Sequence, residues 1–223
     1  MKNPMKDSPL KHVLLGTILL TCFAFAKDAE ATKSFPAALP LEFILEIDGQ
    51  GIPMATGTPV KLTIAGKEVV ARLVQKPDRL FKTPGLSFRI PSQHAYEFDD
   101  SSPGMKQWTF DGNDNVVIVT GTDVGIEAGE LIKSTVDGIV SKFGRKNSKQ
   151  EKSELTLGGK KYPSVRLRIT LAGQRLQYQI ASLASGKFTF LIMVQDSLND
   201  DGSESDEAKS VLQLLDKTLK LGE

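Results

Sequence analysis

The sequence has few residues that carry covalent or metal chemistry. Its 223 residues include one cysteine, Cys22, and two histidines, His12 and His94. One cysteine cannot form a disulfide within the chain, and two histidines far apart do not form a usual catalytic zinc site. The phosphate-binding loop, the G-x-S-x-G nucleophile pattern and the G-x-G-x-x-G dinucleotide pattern are also missing. We therefore expect a protein that is not an enzyme and needs neither a metal nor a cofactor.

Neither sign of charge is in excess. The chain has 28 basic and 27 acidic residues, a formal net charge of +1. Proteins that bind nucleic acids usually carry a strong basic excess, so we expect no nucleic-acid partner. Apolar residues make up 40% and charged residues 25% of the chain, which is the composition of an ordinary globular domain. The sequence gives no signal of an oligomeric state.

Residues 1–26 have the pattern of a secretory signal peptide. Three lysines precede an apolar run, 13–26, which ends in the small-x-small sequence Ala24-Phe25-Ala26. The run is shorter than the roughly 20 residues that a membrane-spanning helix needs. Cleavage after Ala26 predicts a mature protein that begins at Lys27, has no membrane span and is periplasmic or secreted. Two alternatives are a lipoprotein attached through Cys22 and an uncleaved anchor.

The rest of the chain divides into a linker, a small β arm and a larger domain. Residues 27–40 are small, polar and punctuated by proline, as in a linker. In 41–82, the alternating strand 42–47 ends at Asp48-Gly49, and the segments 60–64 and 69–74 flank a turn and predict a hairpin. The arm has about 40 residues, which makes it marginal as an independent domain, so we expect it to pack on the domain 83–223.

Hydrophobic periodicity predicts the elements of the larger domain. Strands are predicted first, then a helix, then a three-stranded antiparallel meander, then a second helix. Gly144 is expected to end the first helix, and Ser203 or Ser205 to begin the second. The last strand, 188–194, is apolar on both faces, which is typical of a central strand. The predicted strands are 86–90, 96–98, 105–110, 116–120, 165–171, 176–180 and 188–194, and the helices are 128–143 and about 206–219, with a charged loop at 145–152.

This order of elements predicts an α+β fold, an antiparallel β-sheet with helices packed on it. Together with the segment Pro84-Gly85-Leu86-Ser87-Phe88-Arg89-Ile90-Pro91 and the run 178–194 followed by 207–219, it resembles the PsbP/Mog-type fold over about residues 83–223. That superfamily includes the extrinsic PsbP subunit of photosystem II and the DcrB-like envelope lipoproteins. The resemblance implies a mostly non-enzymatic protein that engages other proteins, and it implies no particular functional residue. The arm 41–82 has no counterpart in it.

A polar face on the predicted hairpin 165–180 is the candidate binding site. If the chain turns at Ala172-Gly173, the side chains of Arg166, Arg168 and Arg175 lie on one face of the ladder. Arginine suits the carboxylates of an acidic partner, so we expect a protein or envelope component to bind there. Two alternatives are a solvated sheet face and a face that pairs internally with the acidic loop 196–207.

Two other functions remain possible from the sequence. The protein could carry a small ligand in a pocket between sheet and helix, lined by Phe188, Phe190 and Tyr178. It could be a hydrolase built on His94 with Asp99 as the orienting carboxylate. Against the hydrolase, we expect His94 to be an exposed loop residue, because the pattern around it shows no partner geometry.

Overall fold

The computed structural model describes residues 39–47, 50–55 and 71–222. The predicted signal peptide, most of the predicted linker and the larger part of the hairpin predicted over 60–74 lie outside these residues. The described chain is mainly antiparallel β-sheet with two α-helices. Neither helix is long and apolar enough to cross a lipid bilayer.

The elements follow one another in the order that the periodicity predicts, with additional strands. A short 3-10 helix, Arg145–Asn147, follows the first of the two α-helices. The strands are β1 (Glu42–Ile47), β2 (Gln50–Ala55), β3 (Ala71–Gln75), β4 (Asp78–Thr83), β5 (Leu86–Pro91), β6 (Ala95–Asp99), β7 (Met105–Asp111), β8 (Asn115–Thr122), β9 (Ser148–Leu157), β10 (Lys160–Leu171), β11 (Gln174–Ser185), β12 (Phe188–Ser197) and β13 (Lys220–Leu221), and the helices are α1 (Ala128–Phe143) and α2 (Asp206–Thr218).

A seven-stranded antiparallel sheet forms the centre of the domain. Its strand order is β6-β7-β8-β12-β11-β10-β9, which puts β12 in the middle. Phe190 and Ile192 of this strand contribute to the core on one face, and Leu191 and Met193 to the core on the other. The prediction of a central strand that is covered on both faces is therefore confirmed.

Each face of the large sheet is covered by different elements. One face packs against α2 and against the small sheet β13-β5-β4, and four aromatic rings from these layers pack against one another with centroids 4.8–5.6 Å apart. We call this the first core; the four rings are those of Phe81, Phe88, Trp108 and Phe110. The opposite face packs against α1 and forms the second core.

The residue that ends α1 and the residue that caps the start of α2 are both among those that the sequence predicts. Gly144 follows α1 with a φ of 85°, and its amide donates to the carbonyl of Val140 at 2.8 Å. A positive φ favours glycine because it has no Cβ, which explains why the helix stops there. Of the two predicted caps for α2, Ser205 is the one used: its hydroxyl accepts a hydrogen bond from the Ala208 amide at 3.0 Å.

The β arm forms its own three-stranded sheet, in the order β2-β1-β3. Glu42 of the arm holds it to the next sheet: its carboxylate lies 2.6 Å from the Lys76 amine and 3.0 Å from the Arg89 guanidinium, and it accepts from the Leu80 amide. These contacts, led by the hydrogen bond from Lys76, lower the pKa of Glu42 to about 2. β4 and β5 pair across the predicted boundary at residue 82, so the chain passes from arm to domain between Gln75 and Asp78.

The prediction of a charged loop at 145–152 is wrong. Only Arg145–Asn147 form a 3-10 turn, and β9 begins at Ser148 and pairs with β10 along its whole length. The meander therefore has four strands rather than three. The first half of β9 is entirely polar, and its buried apolar residues, Leu155 and Leu157, come only near its end. The polar first half of this edge strand shows no apolar alternation, so the strand could be recognised only from its pairing with β10.

Candidate binding face

A tight turn sets the register of the candidate site. Ala172 and Gly173 have φ values of 51° and 82°, so both central residues of the two-residue turn are left-handed, as hairpin turns that match the twist of the strands require. The turn pairs Arg168 with Gln177 and Arg166 with Gln179. This is the predicted register. We call the set Arg166, Arg168, Arg175, Gln177 and Gln179 the arginine face.

The three arginines differ in their surroundings. Arg168 is exposed, and its Nε donates to the side-chain oxygen of Gln177 at 3.0 Å. Arg166 is half-buried and forms an ion pair with Glu151 of β9 at 3.3 Å. Arg175 is half-buried and donates to the main-chain carbonyls of Asn199 and Asp200. Arg168 is oriented by the uncharged side chain of Gln177, and Arg175 by two main-chain carbonyls. Neither kind of contact neutralises the charge of the arginine.

The acidic loop after β12 covers one side of this face. The carboxylate of Glu204 accepts hydrogen bonds from Gln177 at 2.7 Å and from Gln179 at 3.0 Å, and both glutamines are buried. The arginine face is therefore neither fully solvated nor closed by ion pairs with the loop. The loop binds the glutamines through a carboxylate, and its main-chain carbonyls bind Arg175.

One further cation belongs to this face and was missed in the sequence. Lys149 of β9 lies directly opposite Arg168 in the ladder, so the two side chains share a face, and Lys149 is exposed. A strand was not predicted there, so the pairing could not be anticipated. Basic side chains on three adjacent strands thus lie on one side of the sheet.

A buried carboxyl group lies beside the arginine face, at the end of β12, where Asp196 pairs with Gln177. Asp196 is 3% exposed, and its Oδ2 accepts from the Ser205 amide at 3.1 Å, which ties the start of α2 to the sheet. Burial raises the pKa of this carboxyl group, and the nearby charges of Glu204 and Asp114 add to the effect. Such a group stabilises the fold most when it is protonated.

Replacing Asp196 by asparagine is expected to stabilise the protein at pH 7. The raised pKa favours folding fully only below the pKa of an unfolded aspartate, about 3.9, and that contribution is lost as the pH rises through the folded value. Asparagine keeps an oxygen for the Ser205 amide and carries no charge. The free energy of unfolding should rise by about 0.5–2 kcal/mol at pH 7, the usual range for a stabilising substitution, and change little at pH 3. Urea unfolding at both pH values measures this; a loss of stability at pH 7 would show that Asp196 acts as a needed anion.

The expectation that His94 is an exposed loop residue is wrong. His94 is 1% exposed, and its Nε2 lies 3.1 Å from Oδ1 of Asn115. It fits because Gly112 has no side chain: a Cβ there would lie 2.7 Å from the His94 Nε2. The loop is also held by the side chain of Arg79, which is buried and donates to the His94 carbonyl.

The hydrolase arrangement is not formed. Asp99 lies at the opposite end of β6 from His94, which for five residues of extended chain is a distance of roughly 16 Å. Its carboxylate accepts from the Ser101 amide at 2.8 Å. The side chain within hydrogen-bond distance of the His94 ring is an uncharged asparagine. The Glu207 carboxylate also lies near the ring, since both would touch a Cβ on Gly112, but it accepts from the amides of Asp114 and Asn115. Asp99 therefore does not orient this histidine in the way that the hypothesis requires.

The pocket proposed for a ligand carrier is not formed either. Phe190 lies in the first core and Phe188 packs against it, whereas Tyr178 lies in the second core, on the other face of the sheet. Tyr178 is fully buried, and burial raises the pKa of its hydroxyl group. Two depressions on the described surface, of about 360 and 760 Å³, are both open to solvent, and none of these three residues lines either of them. The smaller one includes Gly85, which packs beside the rings of Phe188 and Phe190.

Comparisons with known proteins give distant structural likenesses. No protein-family model and no curated protein sequence matches this chain. A solved structure from Bacteroides thetaiotaomicron VPI-5482 has a TM-score of 0.40 and 14% identity over 66% of this chain, which spans 50% of that protein's length. LpqN, described as involved in cell envelope biogenesis of Mycobacterium tuberculosis, has a TM-score of 0.38 and 13% identity over 66% of this chain and 91% of its own. TM-scores below 0.5 do not establish a shared fold.

Proposed function

We propose that this protein is an exported, non-catalytic domain that binds an acidic protein or envelope component through the arginine face. One observation carries the proposal: three arginines share one face of a rigid hairpin, and of these only Arg166 forms an ion pair with a carboxylate of the described residues. The guanidinium group is a planar fork that matches a carboxylate, and Arg168 is exposed and oriented to receive one.

The rest of the proposal has separate support. Export follows from the leader pattern in 1–26. A PsbP/Mog-like α+β architecture agrees with one helix on each face of an antiparallel sheet. The non-catalytic part of the proposal is supported by the burial of His94, whose ring lies 3.1 Å from the side-chain amide oxygen of Asn115.

The test is a set of charge-removing variants of the tagged protein, used to purify its partner from the native envelope. The triple variant Arg166→Gln, Arg168→Gln, Arg175→Gln should lose the co-purifying partner, and binding by the unsubstituted protein should weaken with salt because interface charges are screened. Arg175 also holds the acidic loop, so the double variant Arg166→Gln, Arg168→Gln provides the binding test in a protein whose loop contacts are intact. Its melting temperature should be close to that of the parent, since Arg168 is exposed and a partly exposed ion pair such as Arg166–Glu151 contributes about 0–1 kcal/mol.

A matched control removes three lysines from the opposite end of the sheet: Lys160→Gln, Lys161→Gln and Lys187→Gln. All three are exposed, and the change in net charge equals that of the triple arginine variant. The control should keep the partner. If the double arginine variant folds normally and retains every partner, the arginine face is a solvated surface and the proposal fails.

A further inference from the structure

Five basic residues lie close together in a segment next to the arginine face, and one of them, Lys149, belongs to both surfaces. They fall within eleven residues, and the segment contains one acid, Glu151, which pairs with Arg166. All five side chains are exposed. The amine of Lys142 lies 5.8 Å from the centre of the Phe143 ring. We call them the basic end: Lys142, Arg145, Lys146, Lys149 and Lys152. The chain as a whole is almost neutral, so this is a local concentration of positive charge.

The fold places the basic end beside an exposed hairpin tip. The segment runs from the last turn of α1 through the 3-10 turn into β9, and Ser148 at the start of β9 lies opposite Ile169 of β10. Two residues after Ile169 comes Leu171, which is 43% exposed and opens the turn to β11. The following three residues, 172–174, are exposed as well. Leu171 therefore projects at the same end of the molecule as four of the cations, whereas Lys152, opposite Val165, lies halfway along β9.

We propose that the basic end and the Leu171 tip bind the surface of an anionic lipid bilayer. Anionic headgroups attract each nearby lysine or arginine, which strengthens binding by about fivefold per residue, within a screening length of about 8 Å at physiological salt. An apolar side chain beside such cations enters the boundary between headgroups and acyl chains. The surface thus has the two features that a peripheral membrane contact uses.

An acidic protein surface fits this region less well. Protein interfaces have apolar or aromatic centres and are depleted in lysine. Four of the five cations are lysines, and Leu171 is the large exposed apolar side chain that the described structure places at this end. The other exposed large apolar residues lie elsewhere: Ile52 in the arm, Leu80 in β4 and Val124 after β8. The proposal is independent of the partner of the arginine face, although Lys149 lies where the two surfaces meet.

Vesicle binding tests the proposal. The protein, as the cell produces it, is mixed with vesicles of phosphatidylcholine alone or with 30% phosphatidylglycerol, and the bound fraction is measured by sedimentation. The readout is the ratio of the two partition constants, because any leader or lipid on the chain contributes to both. We expect a ratio of at least about tenfold at low salt, falling towards one in 0.5 M NaCl. A ratio near one at low salt overturns the proposal.

Two variants localise the binding. The variant Arg145→Gln, Lys146→Gln, Lys149→Gln, Lys152→Gln should reduce the ratio at least about tenfold, whereas Lys160→Gln, Lys161→Gln, Lys187→Gln, Lys220→Gln, with the same loss of charge at the far end of the sheet, should leave it within about twofold. All eight side chains are exposed, and melting curves confirm that both variants are folded. Equal losses in the two variants would mean that total charge, rather than this surface, controls binding.

A soluble acidic polymer separates a membrane from an acidic protein as the occupant. Leu171→Ser should weaken binding to the anionic vesicles several-fold, because the polar side chain no longer favours the acyl boundary. It should not change binding to polyglutamate. If the protein binds polyglutamate as tightly as the vesicles and Leu171→Ser affects neither, the surface is a site for acidic proteins and the bilayer proposal is wrong.

Discussion

Replacing Phe190 by alanine is expected to lower the free energy of unfolding by about 3–5 kcal/mol, the range for a large aromatic side chain removed from a core. Phe190 is 1% exposed in the central strand, and its ring lies over Gly121 of β8 so closely that a Cβ there would be 2.9 Å from its Cε1. Little of the surrounding structure can move into the space, because β8 has no side chain at Gly121 that could fill it. A domain of this kind has a total stability of roughly 5–15 kcal/mol, so the loss should be clear in a urea titration.

Phe188→Ala is the matched control for this substitution. The two rings lie on the same face of β12 with centroids 6.0 Å apart, but Phe188 is at the end of the strand and only half-buried. Its truncation leaves a site that water can fill, so the loss should be less than half of that for Phe190. Similar losses for both variants would contradict the position of Phe190 at the centre of the first core.

Alanine substitutions at two adjacent glycines in the turn from β9 to β10 are expected to differ strongly in their effect on stability. Gly158 and Gly159 both have left-handed backbones, with φ values of 59° and 74°. A Cβ on Gly158 would collide with the main-chain carbonyl of Leu219, whereas a Cβ on Gly159 meets nothing within 4 Å. Alanine at either position has to adopt the left-handed conformation, which costs about 1–2 kcal/mol. Only Gly158→Ala must also move the end of α2.

We therefore expect Gly158→Ala to destabilise the protein by about 2–3 kcal/mol more than Gly159→Ala, in the range of the more severe single substitutions. Parallel thermal or urea unfolding of the two variants measures the difference. The turn is also anchored to α2 by the Gly159 amide, which donates to Asp216 at 2.9 Å. Equal stability of the two variants would contradict the close contact between Gly158 and the Leu219 carbonyl.

Features set by neighbouring residues were predictable from the sequence. The alternation on both sides of Ala172-Gly173 predicts the β10–β11 register, because a two-residue turn leaves one way to pair the strands. The apolar run of β12 predicts its central place, and Gly144 predicts the end of α1. The three arginines could be placed on one face for the same reason, since alternation determines the face of each strand residue.

Features set by distant residues were not predictable. His94 is buried because Gly112 and Asn115 leave room for it and Arg79 holds its loop, and these residues come from two other parts of the chain. β9 is a strand because β10 pairs with it, not because its own residues alternate. Gln177 and Gln179 are covered by Glu204 because α2 brings the acidic loop to the sheet. No local pattern carries this information.

The pairing of β13 with β5 has a consequence for the order in which the chain folds. Leu221 pairs with Leu86, and β12 pairs with β8, so the first strands of the domain wait for partners that are synthesised about 70 to 130 residues later. Contacts so distant along the chain form slowly, because a large loop must close first. The ribosome delivers the N-terminal part first, so these two sheets, unlike the sheet of the arm, cannot close until β12 and β13 have appeared. Late closure of these sheets would keep the larger domain unfolded long enough to enter a narrow export channel, which suits the export that we propose.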